Sequence, residues 1–275
     1  MERLAYEWRI IRRTVQRSIK DGVVDLASSI AFFAAFAIFP LLLAIIAGAS
    51  LLLDSAEVAS QLDQFVGNAI PASADLLRST VEAVVRSRGP MSIVALVGLL
   101  WSGSAGFGAI SRAINRIVGG ETRPFPQAKL RNLGLALAVS ALLVVSIGIS
   151  SAAVIATSKA SWLSELGLES NSLTRLTGWA TSVAILFLVF AMIYRWAPTV
   201  GVTWRMVWPG ALLATGMTEI GKWGFLVYLT RVAQLEAVFG SLSSIMVLLL
   251  WLYVSAMALV IGVEYNVVRE TVRSE

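Results

Sequence analysis

Six apolar segments, each of roughly 20 residues or more, constrain the fold of this chain more than any other feature of its sequence. They occupy residues 26–53, 91–110, 133–157, 177–194, 206–229 and 241–263. An α-helix needs about 20 apolar residues to cross a bilayer. Charged residues make up only 14% of the chain, so a folded soluble domain would lack the charged surface that it normally has. The sequence therefore predicts an all-α integral membrane protein with six transmembrane helices in a single membrane domain, 1–275.

The Lys and Arg residues predict how these helices are oriented. Of the 22 Lys and Arg residues, 15 lie in the two termini, the loop between the second and third spans, and the loop between the fourth and fifth. Loops on the cytoplasmic side of a membrane carry an excess of these residues. We therefore expect both termini in the cytoplasm. The same distribution accounts for the net charge of +5 without nucleic acid as a partner.

Two segments outside the spans have amphipathic patterns. Residues 2–20 place apolar side chains at steps of three and four and fill the other face with Arg, which predicts a helix lying on the lipid headgroups. Residues 54–89 form the longest loop on the opposite side and predict two short helices broken at Pro71. We expect this loop to form a small extracytoplasmic cap.

The composition excludes most enzyme chemistry. The chain has no Cys and no His, so it lacks the thiolate nucleophile, the common metal ligands and the usual general base near neutral pH. Its Asp and Glu residues show no spacing typical of a magnesium site. We therefore expect no cofactor, no metal and no catalytic residue.

The clearest candidate for a functional site lies in the fifth span, at Glu219 and Lys222. A spacing of three places both side chains on one face of the helix, within reach of a salt bridge. Ionised groups inside a membrane cost about 2.5–3.5 kcal/mol each and normally face protein or water. Two interpretations stay open: a pair that locks two helices together, and a polar site lining a substrate or proton path.

Two further carboxylates lie near the predicted cytoplasmic boundary. Glu264 follows the last span and Asp25 begins the first. Each is either solvated or a candidate for substrate binding or proton relay. Pairing with Arg112 or Arg116 is a hypothesis that rests on shared sidedness alone.

Other residues are candidates for packing or for a hinge. Pro40 lies midway along the first span and cannot donate to the carbonyl of Phe36, which predicts a kink or a break. The second span carries small residues at successive steps of four, and such a ridge lets another helix approach closely, within the monomer or in a homo-oligomer. The residues of this ridge, with the aromatic one beside it, are Gly98, Ser102, Gly106 and Trp101.

Several stretches together resemble one family of bacterial inner-membrane proteins. They are Ala31-Phe-Phe-Ala-Ala-Phe-Ala-Ile-Phe-Pro40, Trp101-Ser, Gly106-Phe107, Ala113-Ile-Asn115, Tyr194-Arg-Trp-Ala-Pro198, Pro209-Gly210-Ala, Phe239-Gly240-Ser241-Leu, Leu250-Trp251-Leu-Tyr253 and Gly262-Val-Glu264-Tyr-Asn266. In this order they are similar to the YihY / virulence factor BrkB family, formerly labelled ribonuclease BN. The small departures from the family pattern are Phe239 in place of Tyr, Ala37 in place of Ser and Val263 in place of Ala. The resemblance implies six helices with cytoplasmic termini in the bacterial inner membrane, and it adds Asn115 as a polar site candidate.

The resemblance leaves the activity open. The ribonuclease label conflicts with a composition that offers nothing to position a metal and water on a phosphodiester. Other members of the family carry virulence or envelope labels. We expect a non-enzymatic transporter or lipid-translocating protein in which Glu219, Lys222 and Glu264 line a cavity between helices. The alternative is a structural or partner-binding envelope protein, and an intramembrane enzyme acting on lipid ranks last because no nucleophile–base pair is evident.

Overall fold

The computed structural model describes residues 2–49, 91–121, 123–124, 126–139, 141–142, 170–231 and 242–275. All regular secondary structure in these residues is helical. The helices are α1 (Glu2–Lys20), α2 (Val23–Ala49), α3 (Met91–Val118), α4 (126–139), α5 (Ser170–Trp196), α6 (Trp204–Arg231) and α7 (Ser243–Ser274). The predicted cap, 54–89, and most of the predicted third span, 133–157, lie outside the described residues.

Glycines in the left-handed conformation end two of the helices. Gly22 has φ +69° and separates α1 from α2, and Gly119 has φ +70° directly after α3. Residues with a Cβ are disfavoured at such angles, so glycine commonly follows the last turn of a helix. Gly22 turns the chain where the amphipathic pattern of 2–20 ends, and Gly119 turns it at the end of α3.

Several helices are longer than the apolar segments that predict them. Helix α3 continues past residue 110 to Val118, and α7 continues past residue 263 to Ser274. The predicted boundaries lie where polar residues begin, but backbone hydrogen bonding does not stop there. These polar extensions carry the side chains that connect the helices at one end of the bundle.

Helix α7 is the centre of the packing, and it contacts α1, α2, α3 and α6. Helix α2 packs along α3, and α5 packs along α6. One core of buried apolar side chains receives contributions from α2 to α7, among them Ala27, Ile114, Leu135, Ile193, Val207 and Val260. A second small core, in which Ile10 contacts Val268 and Val272, docks α1 on the last turns of α7.

Two of the described segments, Gly178–Trp196 and Ile245–Ser274, are long and apolar enough to cross a membrane. Val23–Ala37 is a shorter apolar helix segment. Large apolar side chains also face outward, including Ile220 and Trp223, which are 74% and 71% exposed. An apolar outer surface suits lipid as the solvent. The six-span topology and the side of each terminus stay predictions.

Candidate functional site at one end of the bundle

A buried carboxylate on α7 is paired with an arginine of α1. Glu264 is fully buried, and its Oε2 lies 3.0 Å from Nε of Arg17. The same Nε lies 3.3 Å from Oδ2 of Asp21, and Nη2 of Arg17 donates to the carbonyl of Ile117 at 2.8 Å. The guanidinium of Arg17 therefore connects α1, α3 and α7.

This ion pair is the main compensation that Glu264 receives. Neither carboxylate oxygen forms a well-oriented hydrogen bond with any described residue. A buried charge is tolerated only when a counter-charge offsets its loss of water. The position of Arg17 is therefore coupled to the charge on Glu264.

Helices α6 and α7 approach each other closely beside this pair. A Cβ on Gly210 would clash with the carbonyl oxygen of Gly262, so only glycine allows this crossing. The backbone N–H of Gly210 donates to Oδ1 of Asn266 at 2.7 Å, and Nδ2 of Asn266 donates to the carbonyl of Val207 at 3.2 Å. Helix α6 has Pro209 at this point, which lacks an N–H and weakens the local backbone ladder. Asn266 thus holds the first turns of α6 against α7.

Tyr194 joins α5 to the same crossing. Its hydroxyl donates to the carbonyl of Leu259 at 2.7 Å, and it lies directly beside Gly262. Tyr194, Gly210, Gly262 and Asn266 all belong to the stretches that carry the family resemblance. The structure gathers them in one contact, and their role there is to fix the geometry of three helices.

A cavity of about 300 Å³ lies next to this crossing, between the ends of α3, α5, α6 and α7. Its deep wall is apolar and includes the buried residues Ile114, Val207 and Val263. Its rim is exposed and includes Gly201 and Thr271. The volume is at the lower end of the range for small-molecule sites, so it suits one small ligand or one alkyl chain.

Polar contacts hold the loop 197–203 that forms one side of the cavity. Oδ1 of Asn115 accepts hydrogen bonds from the backbone N–H and the hydroxyl of Thr199, at 2.7 and 2.9 Å. Arg131 donates from Nε to the carbonyl of Trp196 at 2.6 Å, and Arg123 donates to the carbonyl of Pro198 at 3.0 Å. These contacts satisfy carbonyls that the end of α5 leaves without a helical partner.

The arginines at this end lie close together. Burial lowers the pKa of the Arg131 guanidinium, and the positive charges of Arg123 and Arg195 lower it further. Such repulsion is tolerated because the carbonyls at the end of α5 and its dipole favour positive charge. The arrangement stabilises the end of the helix.

The structure places Glu219 and Lys222 away from the cavity. They pair with each other at 2.5 Å, as their spacing predicts. The Lys222 side chain is 43% exposed, and neither residue is among the described residues that line the cavity. Glu219 is nine residues along α6 from Gly210, about 14 Å by the helical rise. The transport hypothesis expected this pair to line one cavity together with Glu264. The structure does not bring them together.

Of the two carboxylates near the boundary, Glu264 differs from its expected environment and Asp25 is solvated, as one of its two interpretations expected. Glu264 is neither solvated nor paired with Arg112 or Arg116, because the docking of α1 brings Arg17 to it instead. Arg112 lies over the ring of Phe33, with its guanidinium carbon 5.6 Å from the ring centroid. Asp25 is exposed in the first turn of α2, where a negative charge suits the helix dipole.

The packing candidates are only partly visible. A Cβ on Gly106 would lie 3.7 Å from Cβ of Ala37 on α2, so this glycine lies at the contact of α2 and α3. Helix α2 continues through Pro40 to Ala49 without the break that was one of the two expectations. The structure describes the backbone at Pro40, Gly98, Trp101 and Ser102 as helical, and their surroundings are not among the described contacts.

Comparison with known proteins identifies the family. The family model described as virulence factor BrkB matches residues 14–275. A UPF0761 membrane protein of Xanthomonas oryzae pv. oryzae is 26% identical over 255 residues, which cover 90% of this chain and 57% of that protein. A UPF0761 membrane protein of Alkalilimnicola ehrlichii is 27% identical over 253 residues, which cover 91% of this chain and 56% of that protein.

These matches also limit which properties of the relatives apply to this chain. The chain spans little more than half the length of the curated relatives that it matches. No solved structure matches it. The match nonetheless extends over nearly the whole chain, and it agrees with the resemblance of the sequence motifs. The chain belongs to the virulence factor BrkB family of membrane proteins.

Proposed function

We propose that this membrane protein translocates an amphiphile, such as a lipid, across the bacterial inner membrane without catalysis and without a cofactor. The observation that carries the proposal is a cavity of about 300 Å³ at the same end of the bundle as a buried ion pair, lined by residues adjacent in sequence to the groups of that pair. Val263 lines the cavity, and the next residue is Glu264. Ile114 and Val118 line it from α3, and the carbonyl of Ile117, between them, binds Arg17.

The ion pair supports a mechanism in which helix α1 moves. Ionised groups inside a membrane protein are costly and are functional by default. Glu264 is fully buried, but the Arg17 side chain is 35% exposed and belongs to the amphipathic α1. A shift of α1 would separate the pair and release α7, which lines one side of the cavity. In this mechanism the pair holds the closed state.

The proposed orientation has both termini in the cytoplasm. The concentration of Arg on α1 and around the end of α5 supports it, because the positive-inside rule places such segments there. The cavity is then accessible from the cytoplasmic leaflet. The partner of the protein in this proposal is the lipid bilayer, and nucleic acid has no role.

The alternative is a structural or partner-binding envelope protein, and one observation favours it. The Glu219–Lys222 pair lies at the edge of an outer face of α6: the Glu219 side chain is 18% exposed and that of Lys222 43%, and the neighbouring Ile220 and Trp223 are 74% and 71% exposed. A self-neutralised pair within an exposed apolar face suits contact with another membrane helix, in a second copy or another protein. In this version the cavity is only a packing defect.

A flux assay separates the two proposals. The protein is reconstituted in vesicles of phosphatidylethanolamine and phosphatidylglycerol with a trace of fluorescent phosphatidylethanolamine. The movement of the fluorescent lipid between the leaflets is followed by dithionite quenching. We expect flux above protein-free vesicles, a loss of at least tenfold for Glu264→Gln, and little change for Glu219→Gln. The matched control is Glu121→Gln, which removes an exposed carboxylate outside the site.

Each outcome has a defined meaning. Flux equal to that of protein-free vesicles contradicts lipid translocation and favours the structural alternative. A loss with Glu219→Gln but not with Glu264→Gln moves the site to the outer face of α6. The thermal unfolding of each variant, followed by the fluorescence of the nine tryptophans, separates lost function from lost fold.

A further inference from the structure

We infer that the cavity binds the apolar chain of a cationic amphiphile and that Glu270 binds its ammonium head. This inference rests on the proposed function and names the substrate class. It comes from the charge of the lining. Glu270 is the only charged residue among the described residues that line the cavity. The chain as a whole has a net charge of +5, so a cavity whose one charge is negative differs from its surroundings.

The carboxylate of Glu270 is available for a ligand. It forms no ion pair or hydrogen bond with any residue that the structure describes. Its neighbour Arg269 instead lies over the ring of Trp208, with its guanidinium carbon 5.4 Å from the ring centroid. The side chain of Glu270 is half-buried, so an ammonium bound there would be partly shielded from water. Such a charge-assisted contact is about twice as strong as a neutral one.

The carboxyl ends of two helices contribute negative potential at the rim, opposite the positive amino end of α6, whose Met206 and Val207 also line the cavity. Glu270 lies near the carboxyl end of α7, which ends at Ser274, and α3 ends at Val118, which also lines the cavity. The carboxyl end of a helix carries about half a negative charge. No arginine is among the described residues that line the cavity, and Arg123 and Arg131 direct their donors to the carbonyls around the end of α5.

The other residues that line the cavity determine which chemical group is attached to the bound cation. The wall is formed mostly by Val, Ile, Met and Pro side chains, and the hydroxyls of Thr271 and Ser274 already donate to backbone carbonyls of α7. An anionic head would therefore meet a carboxylate and no free donor from these hydroxyls. A primary or quaternary ammonium on an alkyl chain satisfies both parts of the site.

The test exploits the absence of cysteine from the chain. Ser274→Cys places a single thiol on the rim of the cavity, and Gly178→Cys places one in the first half of α5, where its apolar segment begins and a Cβ meets no atom within 4 Å. Each variant is reconstituted in nanodiscs of neutral phosphatidylcholine and labelled with a membrane-impermeant thiol reagent. Octylammonium is the probe, and octanoate and octanol are its matched controls.

We expect octylammonium to slow labelling at position 274, with at least tenfold weaker protection by octanoate and octanol, and to leave position 178 unaffected. Adding Glu270→Gln should weaken the protection at least tenfold, whereas Glu121→Gln should not. Gly201→Phe, which adds a side chain at a rim position with open space, should block the cavity and abolish protection. Equal protection by octanoate, or protection that survives Glu270→Gln, overturns the inference.

The binding test and the flux test fail independently. Protection by octylammonium without any lipid flux supports the cation site and contradicts translocation. Lipid flux that persists in Glu270→Gln, together with no protection by octylammonium, overturns this inference and leaves the proposed function standing.

Discussion

The Arg17–Glu264 pair makes an asymmetric prediction, because its two partners differ in burial. Arg17→Met removes the counter-charge from a fully buried carboxylate, and it also removes the contact with Asp21 and the hydrogen bond to Ile117. Breaking a buried pair in this way costs about 3–5 kcal/mol. Glu264→Met instead leaves a guanidinium that is 35% exposed and keeps its other two partners. We expect it to cost no more than about 1 kcal/mol.

The double variant gives the sharpest result. Once Glu264 is Met, Arg17→Met no longer exposes a buried charge to an apolar environment. We therefore expect Arg17→Met/Glu264→Met to be more stable than Arg17→Met alone, with a coupling energy of about 3 kcal/mol between the two sites. For a chain of this size a loss of about 4 kcal/mol corresponds to a decrease in Tm of roughly 8–16 °C.

Thermal unfolding of the detergent-solubilised protein, followed by tryptophan fluorescence, measures these differences. The matched control is Arg12→Met, which removes an exposed arginine from the same helix and should change stability by less than about 0.5 kcal/mol. Arg17→Lys keeps the charge but loses the planar fork, so it should be intermediate. The reasoning is refuted if the two single variants lose equal stability and their losses add in the double variant. That result would mean that removing Arg17 does not leave Glu264 as an uncompensated buried charge.

Two further predictions concern the contacts on either side of the pair. Gly210→Ala should destabilise the protein by about 1–3 kcal/mol because its Cβ meets the backbone of Gly262, whereas Gly216→Ala on the same helix has open space and should be tolerated; thermal unfolding of both variants is the measurement, and equal stability would contradict the close crossing. Arg13 lowers the pKa of the Glu275 carboxylate through a hydrogen bond and its charge. This ion pair between α1 and Glu275 therefore stabilises the folded state above the unfolded-state pKa of Glu275. The stabilisation is lost as the pH falls through the lowered pKa of the folded state. Unfolding of the protein and of Glu275→Gln is measured between pH 6 and 3, and at low salt the variant should lack this acid-dependent loss of stability. At high salt the two proteins should behave alike, because the ion pair is exposed and is screened.

The sequence predicted those features that depend on local spacing. The amphipathic pattern of residues 2–20 predicted α1 as the structure has it, Glu2–Lys20. The spacing of three between Glu219 and Lys222 predicted their contact. Both follow from the geometry of a single helix, which a sequence determines without reference to any other segment.

Features that depend on the register between helices were not predicted. Sidedness limits the partners of Glu264 to the arginines at one end of the protein, but it does not choose among them. The choice depends on where α1 docks, and that docking is fixed by the small core of Ile10 against Val268 and Val272. The same limit applies to Asn266, which the sequence presents only as part of a motif and which the structure shows bonded to Gly210 and Val207.

The charge of the cavity shows why a count of charged residues cannot identify a ligand. The basic residues at this end predict its orientation, and their count indicates nothing about the charge of a ligand. The structure gives several of them other roles, because Arg17, Arg123 and Arg131 all donate to backbone carbonyls near the ends of α3 and α5. Helix ends with a negative dipole require such cations, so these arginines stabilise the fold. The charge left facing the cavity is Glu270, and the chemistry of a ligand follows from this residual charge and not from the total.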